Sequence, residues 1–172
     1  MENSIYHDCA GILGQHAQDV LTRMSSIAPA LGALTYETGS LNRQYAEAVK
    51  VSFRGQAGEA ATKGYLIWAF HVFKVAQELG RDIAVKMGLE AELAGTREGV
   101  ENILGETLNI IIGLTSSDWS QKGLDIVFDP PEKLGAHLID AIPPDQKAFH
   151  VTLTLEKGPD ISIFLHFTQS SS

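Results

Sequence analysis

Residues 96–120, TREGVENILGETLNIIIGLTSSDWS, carry the residue types best suited to chemistry in this chain. At roughly 100° per residue, Gly99, Asn102, Glu106, Asn109 and Gly113 fall along one narrow stripe of a helix. Val100, Ile103, Leu104, Thr107, Leu108 and Ile111 fall on the other side, as a buried face requires. The stripe presents two carboxamides, each with donor and acceptor and neither titrating, beside one carboxylate. Glu106 and Asn109, three apart, are surface neighbours. Glu and Asn are also ordinary solvated helix residues. Ile110 and Ile112 flank them, however, and a polar centre with an apolar rim suits docking of a partner. Glycine inside a helix costs about 1 kcal/mol relative to alanine, so Gly99, Gly105 and Gly113 ask for a reason. Close approach of a partner's backbone is one.

The elements that must position this helix follow from hydrophobic periodicity. Ile5, Cys9, Ile12, Leu13, His16, Val20, Met24 and Ile27 predict a first helix over 4–27. Strands are expected near 33–38, 48–54 and 64–70, with the Gly- and Ala-rich 55–64 as a hairpin connection. Val72, Val75, Ala76, Leu79, Ile83 and Met87 predict a helix over 71–87 that stops at Gly88. Beyond the 96–120 helix come a strand at 124–128, a short one near 134–139, a break at Pro143-Pro144, and a closing hairpin of 148–156 and 161–167. The expected fold class is α+β: a two-layer sandwich of a mostly antiparallel sheet, two long central helices and an N-terminal helix. A single domain is expected over 1–168, with a disordered tail at 169–172.

Composition narrows the function. The 172-residue chain has a formal net charge of −8, and its 13 Lys and Arg are scattered, so the electrostatic footprint of a nucleic-acid binder is missing. Cys9 is the only cysteine, which excludes an intrachain disulfide and favours a reducing compartment. Acidic residues stand where a signal peptide has basic ones, and no apolar stretch is long enough for a membrane span, so a cytoplasmic, soluble protein is expected. His7 and Cys9 lack further ligands at recognisable spacing, and no metal site is expected. His150 and His166 on the closing strands read as packing or surface residues. GQAG (55–58) lacks the Lys-Ser/Thr of a phosphate loop, and no Gly-x-Ser-x-Gly elbow is present. Trp68, Phe70 and Phe73 read as core, and Trp119 as a contact at a helix end.

With this order of elements, Asn102-Ile-Leu-Gly-Glu106-Thr-Leu-Asn109, followed by Gly113, resembles the signature helix of the CheX/CheC/FliY family of bacterial chemotaxis phosphatases. The 55–64 hairpin, the ELGRDIAVKMG helix just upstream and the closing hairpin agree with it. The resemblance spans roughly 48–168. Members of the CheC type are similar to a duplicated unit with two such helices; one is present here, so the CheX type is the better match. Asn102 stands where the family usually has Asp or Ser.

The resemblance implies hydrolysis of the aspartyl phosphate of a CheY-type response-regulator receiver domain in two-component signalling. Most of the catalytic apparatus, including Mg2+, would belong to the receiver, and this chain itself would bind no cofactor. Asn109 is the residue implied to hold the attacking water, and Glu106 the one implied to pair with a lysine of the receiver's site. Asn102, Gly105, Ile110 and Gly113 are expected at the partner interface. The alternative is a non-catalytic adaptor of the same fold that binds a receiver or a flagellar-switch component. A homodimer is also expected, joined along sheet edges as in CheX-like proteins, with the apolar strand ISIFLHF as the candidate edge.

Overall fold

Alternation of period two along four strands decides the architecture. Val49, Val51 and Phe53, Leu66, Trp68 and Phe70, Phe149, Val151 and Leu153, and Ile161, Ile163, Leu165 and Phe167 are all buried. In each strand they lie two apart, and so on one face of a sheet. The structure is a computed structural model that describes residues 2–37, 39–142 and 146–169. Its elements are α1 (Glu2–Met24), β1 (Ala30–Glu37), β2 (Gly39–Tyr45), β3 (Glu47–Ala57), β4 (Ala60–Phe70), α2 (Phe73–Lys86), a 3-10 turn (Ala91–Gly95) and α3 (Arg97–Gln121). Then follow β5 (Leu124–Phe128), β6 (Glu132–Lys133), β7 (His137–Ile142), β8 (Gln146–Thr154) and β9 (Ile161–Gln169).

Seven strands form an antiparallel sheet in the order β1-β8-β9-β4-β3-β5, with β6 also paired to β3. The three helices share one core with the sheet's inner face. Tyr6, Leu13 and Leu21 of α1, Leu79 and Ile83 of α2, and Leu104, Leu108 and Ile111 of α3 join the strand residues in it. The fold is thus the expected α+β arrangement. No described helix is long and apolar enough to cross a membrane.

Several expectations are corrected. Residues 55–64 are not a loop: β3 and β4 run to a two-residue turn, with Ala57 opposite Ala60 and Gly58 in the left-handed region at φ 61°. Small residues there look like a linker, but β5 and β9 pair with them from either side and supply the hydrogen bonds that propensity lacks. The strand ISIFLHF is not an edge, because β9 is paired with both β8 and β4. That removes its support for a dimer, and the sheet instead ends at β1 and at β5 with β6. β2 pairs with β7 in a separate two-stranded ribbon. Tyr45 of this ribbon packs with Ala48, Ile67, Ala69 and Phe164 on the sheet face opposite the helices. The Pro143-Pro144 break and, apart from Gln169, the tail lie outside the described residues.

One ion pair ties the helical layer to the sheet. Glu47, at the start of β3, is fully buried. Its carboxylate accepts from Arg97 Nη1, at the first residue of α3, and from the Ala48 amide at 3.1 Å. Arg97 also donates to the Ala46 carbonyl at 3.1 Å and lies over the Phe73 ring at 4.3 Å, so it joins β3, α2 and α3. Burial pushes the Glu47 carboxyl above its ordinary value, Arg97 pulls it down, and Glu101 adds to the rise. A carboxyl raised in the fold favours folding below its ordinary value of 4.5, and that contribution fades as pH rises through the folded value. Removing Arg97 raises it further. Arg97→Met should therefore cost about 3 kcal/mol at neutral pH, and less at acidic pH, where the raised carboxyl is more readily protonated. Thermal denaturation at the two pH values checks both the loss and its narrowing.

Candidate functional site on α3

The helix that carries the polar stripe is held at both ends. Thr96 caps its N-terminus, its hydroxyl accepting from the Gly99 amide at 3.1 Å. Near the other end, Trp119 Nε1 donates to the Cys9 carbonyl of α1 at 2.8 Å, and His16 meets Asp118 at 2.7 Å. Trp119 is thus wholly buried and part of the core. Between these anchors the expected inner face is inside: Val100, Ile103, Leu104, Thr107, Leu108 and Ile111 are all buried. The Thr107 and Thr115 hydroxyls lie among apolar groups and donate to the carbonyls of Ile103 and Ile111, at 2.8 and 2.7 Å.

On the outward side Asn102, Glu106, Asn109 and Gly113 are exposed. Among the described residues the side chains of Asn102, Glu106 and Asn109 make no hydrogen bond or ion pair, so their polar atoms are available. The apolar rim differs from expectation. Ile110 is 39% exposed, but Ile112 is core, at 6%. Ile112 and Gly105 are two turns apart on one face of α3, both are buried, and Ile112 belongs to the main core. Leu114, one turn beyond Ile110 and 46% exposed, extends the rim instead.

The three glycines have three different reasons. A Cβ on Gly99 would lie 1.6 Å from the Leu93 carbonyl oxygen, so the 3-10 turn of this chain, and no partner, requires that glycine. Gly105 is buried, and a Cβ there would meet Pro131 at 3.6 Å, an ordinary contact. At Gly113 nothing lies within 4 Å, and the helix surface is bare.

Two hollows border the stripe. One, of about 120 Å3, lies between α3 and β6 and is lined by Asn102, Gly105, Glu106, Asn109, Pro131 and Lys133 among others. The other, of about 150 Å3, is apolar and lies between α3 and the α2 end, lined by Met87, Leu89, Leu93 and Ile103 beside Asn102 and Glu106. Pro131, Lys133, Met87, Leu89 and Leu93 were not among the expected site residues. A two-residue strand leaves no periodicity to read, and the 88–95 segment has no repeat that separates it from a linker.

The remaining candidates are structural. Cys9 is buried, its thiol pushed up to about 12 chiefly by burial, while His7 is exposed beside Asp8. His150 stacks on Phe164 at 4.5 Å and His166 on Tyr65 at 4.4 Å. Burial pushes His166 down to about 4, so it is neutral where it packs. Gly99→Ala should destabilise the fold by more than the helix gain of about 1 kcal/mol can offset, whereas Gly113→Ala should stabilise it by up to about 1 kcal/mol. Paired thermal melts of the two variants check these opposite signs.

No family model and no curated protein matches the sequence. Solved structures do match the fold. A CheC-like superfamily protein from Shewanella sp. PV-4 aligns with TM-score 0.73 at 18% identity, over 93% of this chain and 97% of that one. The chemotaxis protein CheX from Desulfovibrio desulfuricans aligns with TM-score 0.67 at 14% identity, over 95% and 99%. A CheX-CheY-BeF3-Mg2+ complex from Borrelia burgdorferi aligns with TM-score 0.69 at 18% identity, over 94% and 99%. In fold, this chain is similar to CheX and CheC-like chemotaxis proteins.

Proposed function

We propose that this protein binds the phosphorylated form of a CheY-type receiver domain and hydrolyses its aspartyl phosphate. The observation that carries the reading is the outward pair Glu106 and Asn109, unengaged within the chain and adjacent on a rigid helix. A CheX of the same fold forms a complex with CheY, which favours a receiver as the partner.

Asn109 supplies a donor and an acceptor that hold one water in line with the P–O bond. The water oxygen bonds to phosphorus, the bond to the aspartyl oxygen breaks, and the aspartate leaves as carboxylate. Both protons of the water go to the phosphate product, which leaves as dihydrogen phosphate. Phosphoryl transfer through a loose transition state gains little from a strong base, so the carboxamide's task is orientation. Glu106 pairs with a lysine of the receiver and fixes the docked geometry, and Mg2+ on the receiver neutralises the phosphoryl charge. Asn102, Ile110 and Gly113 border this contact, and Gly105 floors the hollow beside it.

The test is the decay of a phosphorylated CheY-type receiver with Mg2+, with and without this protein. The parent chain should accelerate decay. Asn109→Ala should remove most of that acceleration, by about 100-fold, with binding of a beryllofluoride-loaded receiver little changed. Glu106→Ala should weaken that binding by about tenfold. Binding without acceleration would make the chain an adaptor of the same fold, and loss of both would leave the α3 stripe without a receiver partner.

A further inference from the structure

The hollow between α3 and β6 contains a cation that the motif on α3 does not account for. β6 has only two residues, and its register places Glu132 opposite Lys50 and Lys133 opposite Val49. Val49 is a core residue on the helix-facing side of β3, so a cross-strand partner at that position points to the same side. Lys50 and Glu132, one position along, point away and pair with each other at 4.0 Å. Alternation therefore sends the Lys133 side chain towards α3, where it lines the hollow with Asn102, Glu106 and Asn109. Pro131 packs beside Gly105, where a Cβ would meet it at 3.6 Å, so this edge of the sheet lies against the helix.

Charge makes the position notable. Glu101 and Glu106 also line the hollow, and among the described residues Lys133 is its only cationic lining residue. Lys133 forms no ion pair within 4.0 Å among the described residues. The chain as a whole carries −8. An aspartyl phosphate is itself anionic, and a cation presented by this acidic chain where the two surfaces meet favours the phosphorylated form over the bare one. An ammonium on a flexible stem, with three donors, suits a phosphoryl oxygen at such a place.

Resting on the receiver-phosphatase reading, we infer that Lys133 is a positioning residue that meets the phosphoryl group of the docked receiver and makes binding depend on phosphorylation. Glu106 and Asn109 would bind and orient, while Lys133 reports the charge state of the partner.

The experiment measures affinity for a CheY-type receiver with Mg2+, with and without beryllofluoride as the phosphoryl mimic, for the parent and for Lys133→Gln and Lys133→Arg. The parent should prefer the loaded receiver. Lys133→Gln should reduce that preference about tenfold by weakening the loaded complex alone, and Lys133→Arg should keep most of it. A merely structural lysine would weaken both complexes equally or neither, and either result overturns the inference while the phosphatase reading stands. A parent chain that binds neither receiver form overturns the inference together with the reading beneath it. Equal melting temperatures of the parent and Lys133→Gln establish that the comparison is between folded proteins.

Discussion

The Arg97–Glu47 pair decides where the site helix lies. A cation at the first residue of a helix opposes the helix dipole, and a carboxylate taken wholly out of water is costly by itself. Each is tolerable because of the other. The pair joins the start of α3 to the start of β3, and contact with the Phe73 ring adds the start of α2. Buried pairs of this kind contribute more to position than to net stability. Here position means the rotation of α3 about its axis, which sets whether Glu106 and Asn109 point outward together.

The opposite end of α3 is held by unlike means, an indole bonded to a backbone carbonyl and a histidine–aspartate contact to α1. Among the described residues, the helix between the two anchors makes only apolar contacts and internal hydroxyl bonds. Apolar packing is not directional, so it stabilises the helix without choosing its rotation closely. The polar anchors at the ends do the choosing.

Much of this was legible in the sequence, because the strongest signals are periodic. The inner face of α3, the central helices and the closing hairpin obey spacings that burial imposes. Legibility failed where a neighbour distant in sequence decides the outcome. Ile112 resembles Ile110 in type and place, yet one lies in the core and the other meets solvent. Gly99 and Gly113 look alike in sequence, but the Leu93 carbonyl presses on one and nothing touches the other. The 55–64 segment has loop composition and becomes strand because β5 and β9 flank it. Lys133 was invisible for the same reason: its orientation is inherited from Val49 across the ladder.

The outward stripe lies on a helix and beside a strand, with no loop contributing a side chain to the Asn102–Asn109 row. Side chains on a packed helix have little backbone freedom left to lose when something docks on them. Encounter with a partner therefore costs little ordering entropy on this side, and a modest set of contacts suffices for accurate alignment. The same relief is shallow and open, bordered by the two small hollows beside α3. A surface of that kind favours frequent exchange of one partner molecule for the next over long residence of any single one.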